Sequence, residues 1–292
     1  MASIDALDHV VLAVPDLAAA SARFQALGLT LTPQGTHQGI GTANQAFFLP
    51  AGDGDFYVEL LAVHDRYEAL AAGFGSLVAK AEAGGGLIRL MLRTSDLAGI
   101  QEALEGAGIA STATTVHRGD GSPICDVLRP ESMAGGCEVG IVQYPEAIPD
   151  RTERHREQGL FAHTFPLKRA DHVAIFVTDL ASASKFWNDV LGAPTVGEIT
   201  TPAMIIRQIQ AGDVMVELLA ASSPESPLAS RPGGLASMVA FEVADLDAAI
   251  PQARERGFTA PDAEAGVIPG TVRSSIPAGE CAGLGVQLIA YV

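Results

Sequence analysis

Residues 7–17 read Leu7-Asp8-His9-Val10-Val11-Leu12-Ala13-Val14-Pro15-Asp16-Leu17. A short apolar run with a histidine near its start is typical of a buried strand. The aspartate at the end of this run is a favoured first residue of a helix, because its carboxylate accepts the free amide hydrogens of the first turn. The pattern returns at residues 171–180 and, without the histidine, at residues 87–97 and 236–246. Four copies of one strand–helix unit therefore organise the chain.

Each copy continues in the same way. The alanine-rich stretch after the aspartate ends at a glycine, which predicts four helices at residues 16–28, 96–108, 179–192 and 245–257. An apolar strand closes each copy, with room for two more strands before it, so the repeated module is strand, helix and three strands (βαβββ). An antiparallel sheet with a helix on one face leaves its other face open, so modules must pair. The fold class predicted is α+β.

The four modules predict two domains, at residues 1–146 and 168–292. Residues 147–167 are polar and marked by proline, and we interpret them as a linker. Modules could pair in sequence, cross the linker, or pair between two chains in a homodimer. The sequence leaves these three arrangements open.

Composition excludes several classes of protein. The chain has 34 acidic and 18 basic residues, a net charge of −16 that repels nucleic-acid phosphates. An anionic ligand would need a local arginine. No apolar run reaches 18 residues, so we expect no membrane span. Three scattered cysteines and an N-terminus unlike a signal peptide predict a reduced, cytoplasmic protein.

A βαβββ module with histidine in its first strand and glutamate in its last resembles the vicinal oxygen chelate superfamily. The first half resembles its glyoxalase-like members through Leu7-Asp8-His9, residues 35–44 (Gly-Thr-His-Gln-Gly-Ile-Gly-Thr-Ala-Asn) and Tyr57-Val58-Glu59-Leu60. The second half is more similar to methylmalonyl-CoA epimerase, through Val216-Glu217-Leu218-Leu219 and the serine- and proline-rich residues 222–228. The resemblance implies four βαβββ modules paired into two glyoxalase/bleomycin-resistance/dioxygenase-type domains.

It also implies one divalent metal (Mn, Fe, Co, Ni or Zn) between paired modules, with one ligand from the first strand and one from the last strand of each. The residues at these positions are His9, Glu59, Arg89 and Gly140 in the first half and His172, Glu217, Met238 and Gln287 in the second. Arg89, Gly140 and Met238 do not suit a hard metal, whereas Gln287 is tolerable because glutamine occupies a ligand position in some relatives. This gives two separate half-sites, His9 with Glu59 and His172 with Glu217, the second with Gln287 in the same cleft when modules pair in sequence. The absence of any metal is an equal expectation, in which each histidine is hydrogen-bonded to its facing glutamate.

Residues 35–44 are too long for a hairpin turn, and long loops on rigid scaffolds often bind ligands. We therefore expect His37, Thr42 and Asn44 to contact a small-molecule ligand, with a purely structural loop as the alternative. Arg89 would pair with Glu59 or with an anionic substrate. The remaining histidines flank loops or the linker, and we expect them at the surface: His64, His117, His155 and His163.

Two functions follow from the resemblance. The first is an isomerase, lyase or dioxygenase that acts on a small carbonyl or phenolic compound, with or without a divalent metal. Glu59 and His9 would be its catalytic residues, and the first domain its active half. The alternative is a non-catalytic small-molecule binding or resistance protein of the same fold.

Overall fold

The computed structural model describes residues 3–118, 120–133 and 135–292, so Met1 and Ala2 of the first predicted domain lie outside the described residues. The strands of the first half are β1 Ala6–Ala13, β2 Gly35–His37, β3 Thr42–Ala51, β4 Gly54–Val63, β5 Gly86–Arg93, β6 Ser111–His117, β7 Pro123–Pro130 and β8 Glu138–Gln143. Those of the second half are β9 Leu167–Phe176, β10 Thr195–Thr200, β11 Met204–Ala211, β12 Val214–Ala221, β13 Gly234–Val243, β14 Glu264–Ala265, β15 Thr271–Ile276 and β16 Gly285–Tyr291. The helices are α1 Leu17–Leu27, α2 Arg66–Ala71, α3 Gly75–Glu82, α4 Leu97–Gly106, α5 Ile148–Glu157, α6 Leu180–Lys185 and α7 Leu246–Glu255.

Modules pair in sequence to form two curled sheets of eight strands. The strand order is β2-β3-β4-β1-β5-β8-β7-β6 in the first sheet and β10-β11-β12-β9-β13-β16-β15-β14 in the second. The first strands of paired modules lie side by side and antiparallel, β1 with β5 and β9 with β13. The α+β class and the two paired-module domains are confirmed. Crossed pairing within the chain is wrong.

Aspartate begins the helix of all four modules, as predicted. Each carboxylate accepts the amide hydrogen of the residue three positions later, at 2.9 to 3.1 Å, in the pairs Asp16–Ala19, Asp96–Gly99, Asp179–Ser182 and Asp245–Ala248. The third helix differs at its end, because α6 runs into one π-helical turn over Phe186–Val190.

Residues 35–44 form a hairpin, so the prediction of a loop too long for one is wrong. β2 and β3 pair from Gly35 with Asn44 to His37 with Thr42, and only residues 38–41 connect them. Gly39 and Gly41 have φ angles of 71° and 68°, a left-handed backbone that glycine adopts without a steric penalty and that lets so short a connection turn.

The predicted linker contains a helix that packs on the first half. Within α5, Arg151, Thr152 and His155 are buried, and the helix contacts β4. Its buried face is polar, which explains why its sequence resembles a linker. The expectation that His155 lies at the surface is wrong, and so are those for His117 and His163, which are half-buried. His163 Nε2 donates to Phe48 O at 2.7 Å, and His64 is exposed, as expected. The domain boundaries at residues 146 and 168 stay predictions.

One hydrophobic core extends through both halves. Phe47 of β3 and Phe241 of β13 approach with ring centroids 6.2 Å apart, and both belong to the largest cluster of buried apolar side chains. The Ile4 amide also donates to Leu191 O at 2.9 Å. Among the helices in the described ranges, none has the length and apolar character needed to cross a membrane.

Gly28 and Gly108 end the helices α1 and α4 in the same way, with φ angles of 98° and 73°. The residue after each glycine donates to a carbonyl five positions earlier, a bond that closes the helix end. Their surroundings differ. A Cβ on Gly28 would lie 1.6 Å from Arg256 Nη1 and 2.5 Å from Thr164 Oγ1, whereas one on Gly108 would meet no atom within 4 Å.

Gly28→Ala should therefore destabilise the protein more than Gly108→Ala. Both substitutions force alanine into a left-handed conformation, at a cost of about 1 kcal/mol in the free energy of unfolding. Gly28→Ala must also displace Arg256, which donates to Leu27 O and Thr164 O, and this adds about 1–3 kcal/mol. Urea unfolding measures both variants. Equal losses would show that Arg256 moves away without cost.

Candidate functional site

A cavity of about 690 Å³ opens on the concave face of the first sheet. Side chains from β1, β4, β5, β7 and β8 form its floor and walls, and the β2–β3 hairpin, the turn between α2 and α3, and helix α5 form its rim. The volume suits a small organic molecule. His9, Glu59, His37, Thr42, Asn44 and Arg89, all predicted as site residues, line it.

His9 is held by the residue before it. Its Nδ1 lies 2.8 Å from Asp8 Oδ2, and both side chains are buried. Neighbouring residues of a regular strand point to opposite faces. Here the β1–β5 register shifts between Leu7 and His9, and this β-bulge at Asp8 turns the carboxylate toward the imidazole. Because Asp8 accepts the Nδ1 hydrogen, Nε2 is the ring nitrogen left for other contacts.

The buried Asp8 carboxylate is ionised, and neighbouring hydrogen-bond donors and positive charges stabilise it. Burial alone would raise its pKa, but the hydrogen bond from His9 and the charges of Arg151 and Arg93 outweigh it and lower the pKa to about 2. Arg93 Nη1 lies 3.3 Å from Oδ1, and Tyr144 donates its hydroxyl to Oδ2 at 2.8 Å. The orientation of His9 is therefore fixed by residues of β1 and β5 and by Tyr144, which directly follows β8.

Glu59 faces His9 from the neighbouring strand β4. The distance from His9 Nε2 to Glu59 Oε2 is 3.9 Å, longer than a hydrogen bond, so the pair is not the directly bonded histidine–glutamate pair of the structural alternative. Asn44 Nδ2 donates to Glu59 Oε1 at 2.6 Å, and His37 Nε2 is 4.0 Å from the same oxygen. Thr42 Oγ1 bonds His37 Nδ1 at 2.8 Å. The hairpin thus orients Glu59 through the three residues predicted to contact a ligand.

Tyrosine side chains form the inner wall beside His9. The ring of Tyr57 stacks on the imidazole with centroids 4.1 Å apart. Its hydroxyl is 3.3 Å from that of Tyr144, and because Tyr144 donates to Asp8, Tyr57 is the donor between them. Burial raises the pKa of both tyrosines well above the usual value, so both hydroxyls stay protonated.

Helix α5 adds a buried ionic group that the sequence did not reveal. Arg151 Nη1 donates to Asp55 Oδ1 at 2.5 Å, and His155 Nδ1 lies 2.6 Å from Asp55 Oδ2. The Arg151 guanidinium also lies 4.2 Å from the Tyr144 ring centroid. Burial lowers the pKa of Arg151, but Tyr144 and the two carboxylates of Asp8 and Asp55 raise it overall, so it remains a cation. The only signal in the sequence was the cluster of basic residues between prolines.

Arg89 pairs with Glu138, not with Glu59 as the sequence suggested. Arg89 Nη2 donates to Glu138 Oε2 at 2.7 Å across the parallel strands β5 and β8. Gly140, at the fourth ligand position implied by the resemblance, lies opposite Met91, whose Sδ would be 2.7 Å from an added Cβ. The Arg89–Glu138 ion pair and the Met91 thioether therefore occupy the place where the second module would supply its two ligands to the implied metal.

The second half repeats the histidine arrangement. His172 Nδ1 lies 2.7 Å from Asp171 Oδ1, its Nε2 is 3.8 Å from Glu217 Oε2, and Tyr291 donates to Asp171 at 2.7 Å. Gln208 Nε2 donates a hydrogen bond to Glu217 Oε1 at 3.2 Å. Burial lowers the pKa of His172, but the hydrogen bond to Asp171 and the charge of Glu217 raise it overall. The two histidines belong to different sheets, which agrees with two separate half-sites.

The donor set fits a metal only in part. His9 with Glu59 and His172 with Glu217 offer one nitrogen and one carboxylate each, and the aspartate on each Nδ1 is the support that a metal-binding histidine usually has. Arg89 and Gly140 offer no donor, and neither does Met238 to a hard cation. The buried Gln287 offers an amide oxygen, on the strand beside Ala240, which pairs with His172. In the part of the chain that the structure describes, no three His, Cys, Asp or Glu side chains are grouped to hold a metal ion. These residues therefore do not fit a complete, protein-held metal centre.

The depressed pKa of Asp8 predicts a pH-dependent contribution to stability. A carboxyl group with a pKa near 2 instead of 3.8 stabilises the folded state by about 2 kcal/mol above pH 4, and this contribution is lost as the pH falls from 3.8 to 2. In Asp8→Asn no proton titrates. The difference in free energy of unfolding between wild type and Asp8→Asn should therefore shrink between pH 5 and pH 3, as measured by urea unfolding.

Asp53→Asn, at an exposed aspartate, controls for the loss of one negative charge. A wild-type advantage over Asp8→Asn that stays constant across this pH range would contradict the ionised, hydrogen-bonded state of Asp8.

Comparison with known proteins agrees with this geometry. Residues 7–160, just over half of the chain, match the model of the glyoxalase-like domain, and residues 169–266 match that of the glyoxalase/bleomycin resistance protein/dioxygenase superfamily. No curated protein matches.

Three solved structures illustrate the likeness. A mutant of 4-hydroxymandelate synthase from Streptomyces coelicolor is 14% identical with a TM-score of 0.68, covering 100% of this chain and 93% of its own. A hypothetical protein from Staphylococcus aureus is 12% identical with a TM-score of 0.64, covering 97% and 98%. Methylmalonyl-CoA epimerase from Mycobacterium tuberculosis is 24% identical with a TM-score of 0.40, covering 44% and 91%. The match over residues 7–160 shows that the chain belongs to the glyoxalase-like domain family, within the vicinal oxygen chelate superfamily.

Proposed function

We propose that the first half is an isomerase or lyase that moves a proton on a small carbonyl or phenolic compound. The observation that carries this proposal is the position of Glu59 on the cavity wall, facing His9 Nε2 across 3.9 Å. The gap is too wide for a direct hydrogen bond and leaves both groups available to a substrate. Asn44 and Asp8 hold them in place from behind.

Each group has a distinct part in the proposed reaction. The Glu59 carboxylate takes a proton from the carbon beside a substrate carbonyl and returns it to a carbon of the same substrate. His9 Nε2, which has no hydrogen when the neutral ring is protonated at Nδ1, accepts the hydrogen of a substrate hydroxyl or phenol. Asp8 keeps the His9 ring in one orientation by accepting the Nδ1 hydrogen. A thiol nucleophile is not part of the proposal, because burial and the charges of Asp8 and Glu59 raise the pKa of Cys125 in the cavity to about 12.

A divalent metal (Mn, Fe, Co, Ni or Zn) at His9 and Glu59 would polarise the same carbonyl. The proposed proton transfer needs no metal, and a set of two protein donors favours an isomerase or lyase over a dioxygenase, which must also activate oxygen at its metal. The same reasoning applies to His172 and Glu217. We further propose that the protein is cytoplasmic and that it forms a homodimer.

A non-catalytic binding or resistance protein is the second candidate. The Arg89–Glu138 pair and the Met91 side chain over Gly140 favour it, because they replace the groups that complete a metal site in the active relatives. In that case the cavity would hold the same class of ligand without turnover.

Hydrogen–deuterium exchange at carbon tests the enzyme proposal. We expect wild-type protein in D2O to exchange the hydrogen beside the carbonyl of at least one compound in a panel of small 2-oxo and 3-oxo acids and hydroxyphenyl ketones, as followed by proton NMR. Glu59→Gln should slow this exchange about 10²- to 10⁴-fold, because a general base contributes that much.

Glu217→Gln is the matched control, since Glu217 has the same position in the second half. Equal loss in both variants, or exchange that Glu59→Gln leaves unchanged, would contradict the assignment to the first half. Ligands that raise the melting temperature of the wild type but exchange no hydrogen would support the binding protein instead.

Elemental analysis tests the metal. With two protein donors in the first half and at most three in the second, we expect less than one tightly bound metal per chain after purification without a histidine tag or chelator, and after addition of Mn, Fe, Co, Ni or Zn. Near-stoichiometric metal that is lost in His9→Ala but kept in His172→Ala would contradict this expectation and establish a metal centre in the first half.

A further inference from the structure

The arginines around the cavity are not equally free to bind an anion. Three of them have carboxylate partners within 2.7 Å: Arg89 with Glu138, Arg151 with Asp55, and Arg154 with Glu146. These three charges are already balanced by the protein. Arg118 also lines the cavity, but it is exposed and donates to Ser122 Oγ and Pro123 O.

Arg129 is different, because its guanidinium is half-buried and has no such partner among the described residues. It lies on β7, half-buried in the cavity wall, and its guanidinium lies 5.1 Å from the ring centroid of Phe74, a residue in the turn between α2 and α3. Over residues 3–118, 120–133 and 135–292, no carboxylate oxygen lies within 4.0 Å of its guanidinium, and the guanidinium donates no hydrogen bond. Burial and the charge of Arg89 lower the pKa of Arg129, and the charge of Glu138 offsets this only in part.

The local charge balance is unusual for this chain. Arg129, Arg89 and Glu138 together carry one net positive charge inside a protein whose net charge is −16. A partly buried cation without a partner costs free energy, because it has lost water without gaining a counter-charge. A ligand anion at this point would supply that counter-charge, and the guanidinium has the planar donor geometry that fits a carboxylate.

We infer that Arg129 binds the carboxylate of the cavity's ligand, which is an amphipathic organic acid with a single negative charge. One net positive charge at the cluster matches a monoanion better than a phosphate dianion. The apolar body of the acid would lie against Phe74, Met91 and Val127, which line the same cavity. This inference rests on the proposed function only in taking this cavity as the ligand site.

The sheet sets the length of such a ligand. In strand order, β1 with His9 and β7 with Arg129 are separated by β5 and β8, which is three strand spacings or about 14 Å along the sheet. The sheet curls, so the direct path across the cavity is shorter. An acid with one or two rings can therefore have its carboxylate at Arg129 and its carbonyl or phenol at His9 and Glu59.

Calorimetric titration with matched acids and amides tests the inference. The probes are benzoate, 4-hydroxyphenylacetate and 2-naphthoate, each compared with its uncharged amide. We expect wild type to bind at least one acid about tenfold or more tightly than its amide, as one charged hydrogen-bonded contact requires. Arg129→Met should remove this preference but keep the affinity for the amide, which also shows that the cavity remains folded. Arg129→Lys should keep part of the preference for the acid, because it keeps the positive charge.

Two further variants complete the test. Arg66→Met removes an exposed arginine outside the cavity and should leave the preference unchanged. Glu138→Gln frees Arg89 and should tighten acid binding, a gain that misfolding cannot produce. The inference is overturned if no acid binds, if acid and amide bind equally, or if Arg129→Met keeps the preference.

Glu59→Gln separates this inference from the proposed function. It should keep the preference for the acid over its amide while losing hydrogen exchange. Acid preference without exchange in the wild type would leave the carboxylate site standing and remove only the proposed catalysis, whereas exchange without acid preference would do the reverse.

Discussion

The buried carboxylate of Asp8 is the contact on which the first half's site depends. It is fully inaccessible to water, and it accepts hydrogen bonds from His9 on β1, Arg93 on β5 and Tyr144, which directly follows β8. A buried anion of this kind is stable only while its donors are present, and removal of one partner of such a group typically costs about 3–5 kcal/mol. The orientation of His9 is therefore a consequence of packing across the whole sheet.

The duplicated half shows which parts of this arrangement the fold itself supplies. Asp171, His172 and Tyr291 reproduce the contacts of Asp8, His9 and Tyr144, and in both halves the aspartate lies at a shift of strand register. The residues around the two histidines differ, because Met238 of β13 stands at the position that corresponds to Arg89 of β5. The module thus provides an oriented histidine, and the paired module determines its neighbours.

Much of the module architecture could be predicted from the sequence. The aspartate-to-glycine intervals predicted the four module helices. The resemblance paired His9 with Glu59 and His172 with Glu217, and these side chains lie 3.9 Å and 3.8 Å apart. The role of Asp8 could not be predicted, because strict strand alternation puts it on the face opposite His9 and only a bulge brings the two together. Arg151 and His155 were missed because a helix that buries a polar face has no apolar periodicity. The pairing of Arg89 depended on which strand lies beside β5, and sequence spacing does not give strand order.

Helix α5 lies outside the four repeated βαβββ modules, yet it supplies one wall of the first cleft and two partners of Asp55, Arg151 and His155. A substitution in this helix therefore acts on the first cleft without changing a repeated module. Changes in this helix can thus alter the ligand preference of the first cleft while both sheets keep the same arrangement of histidine and glutamate.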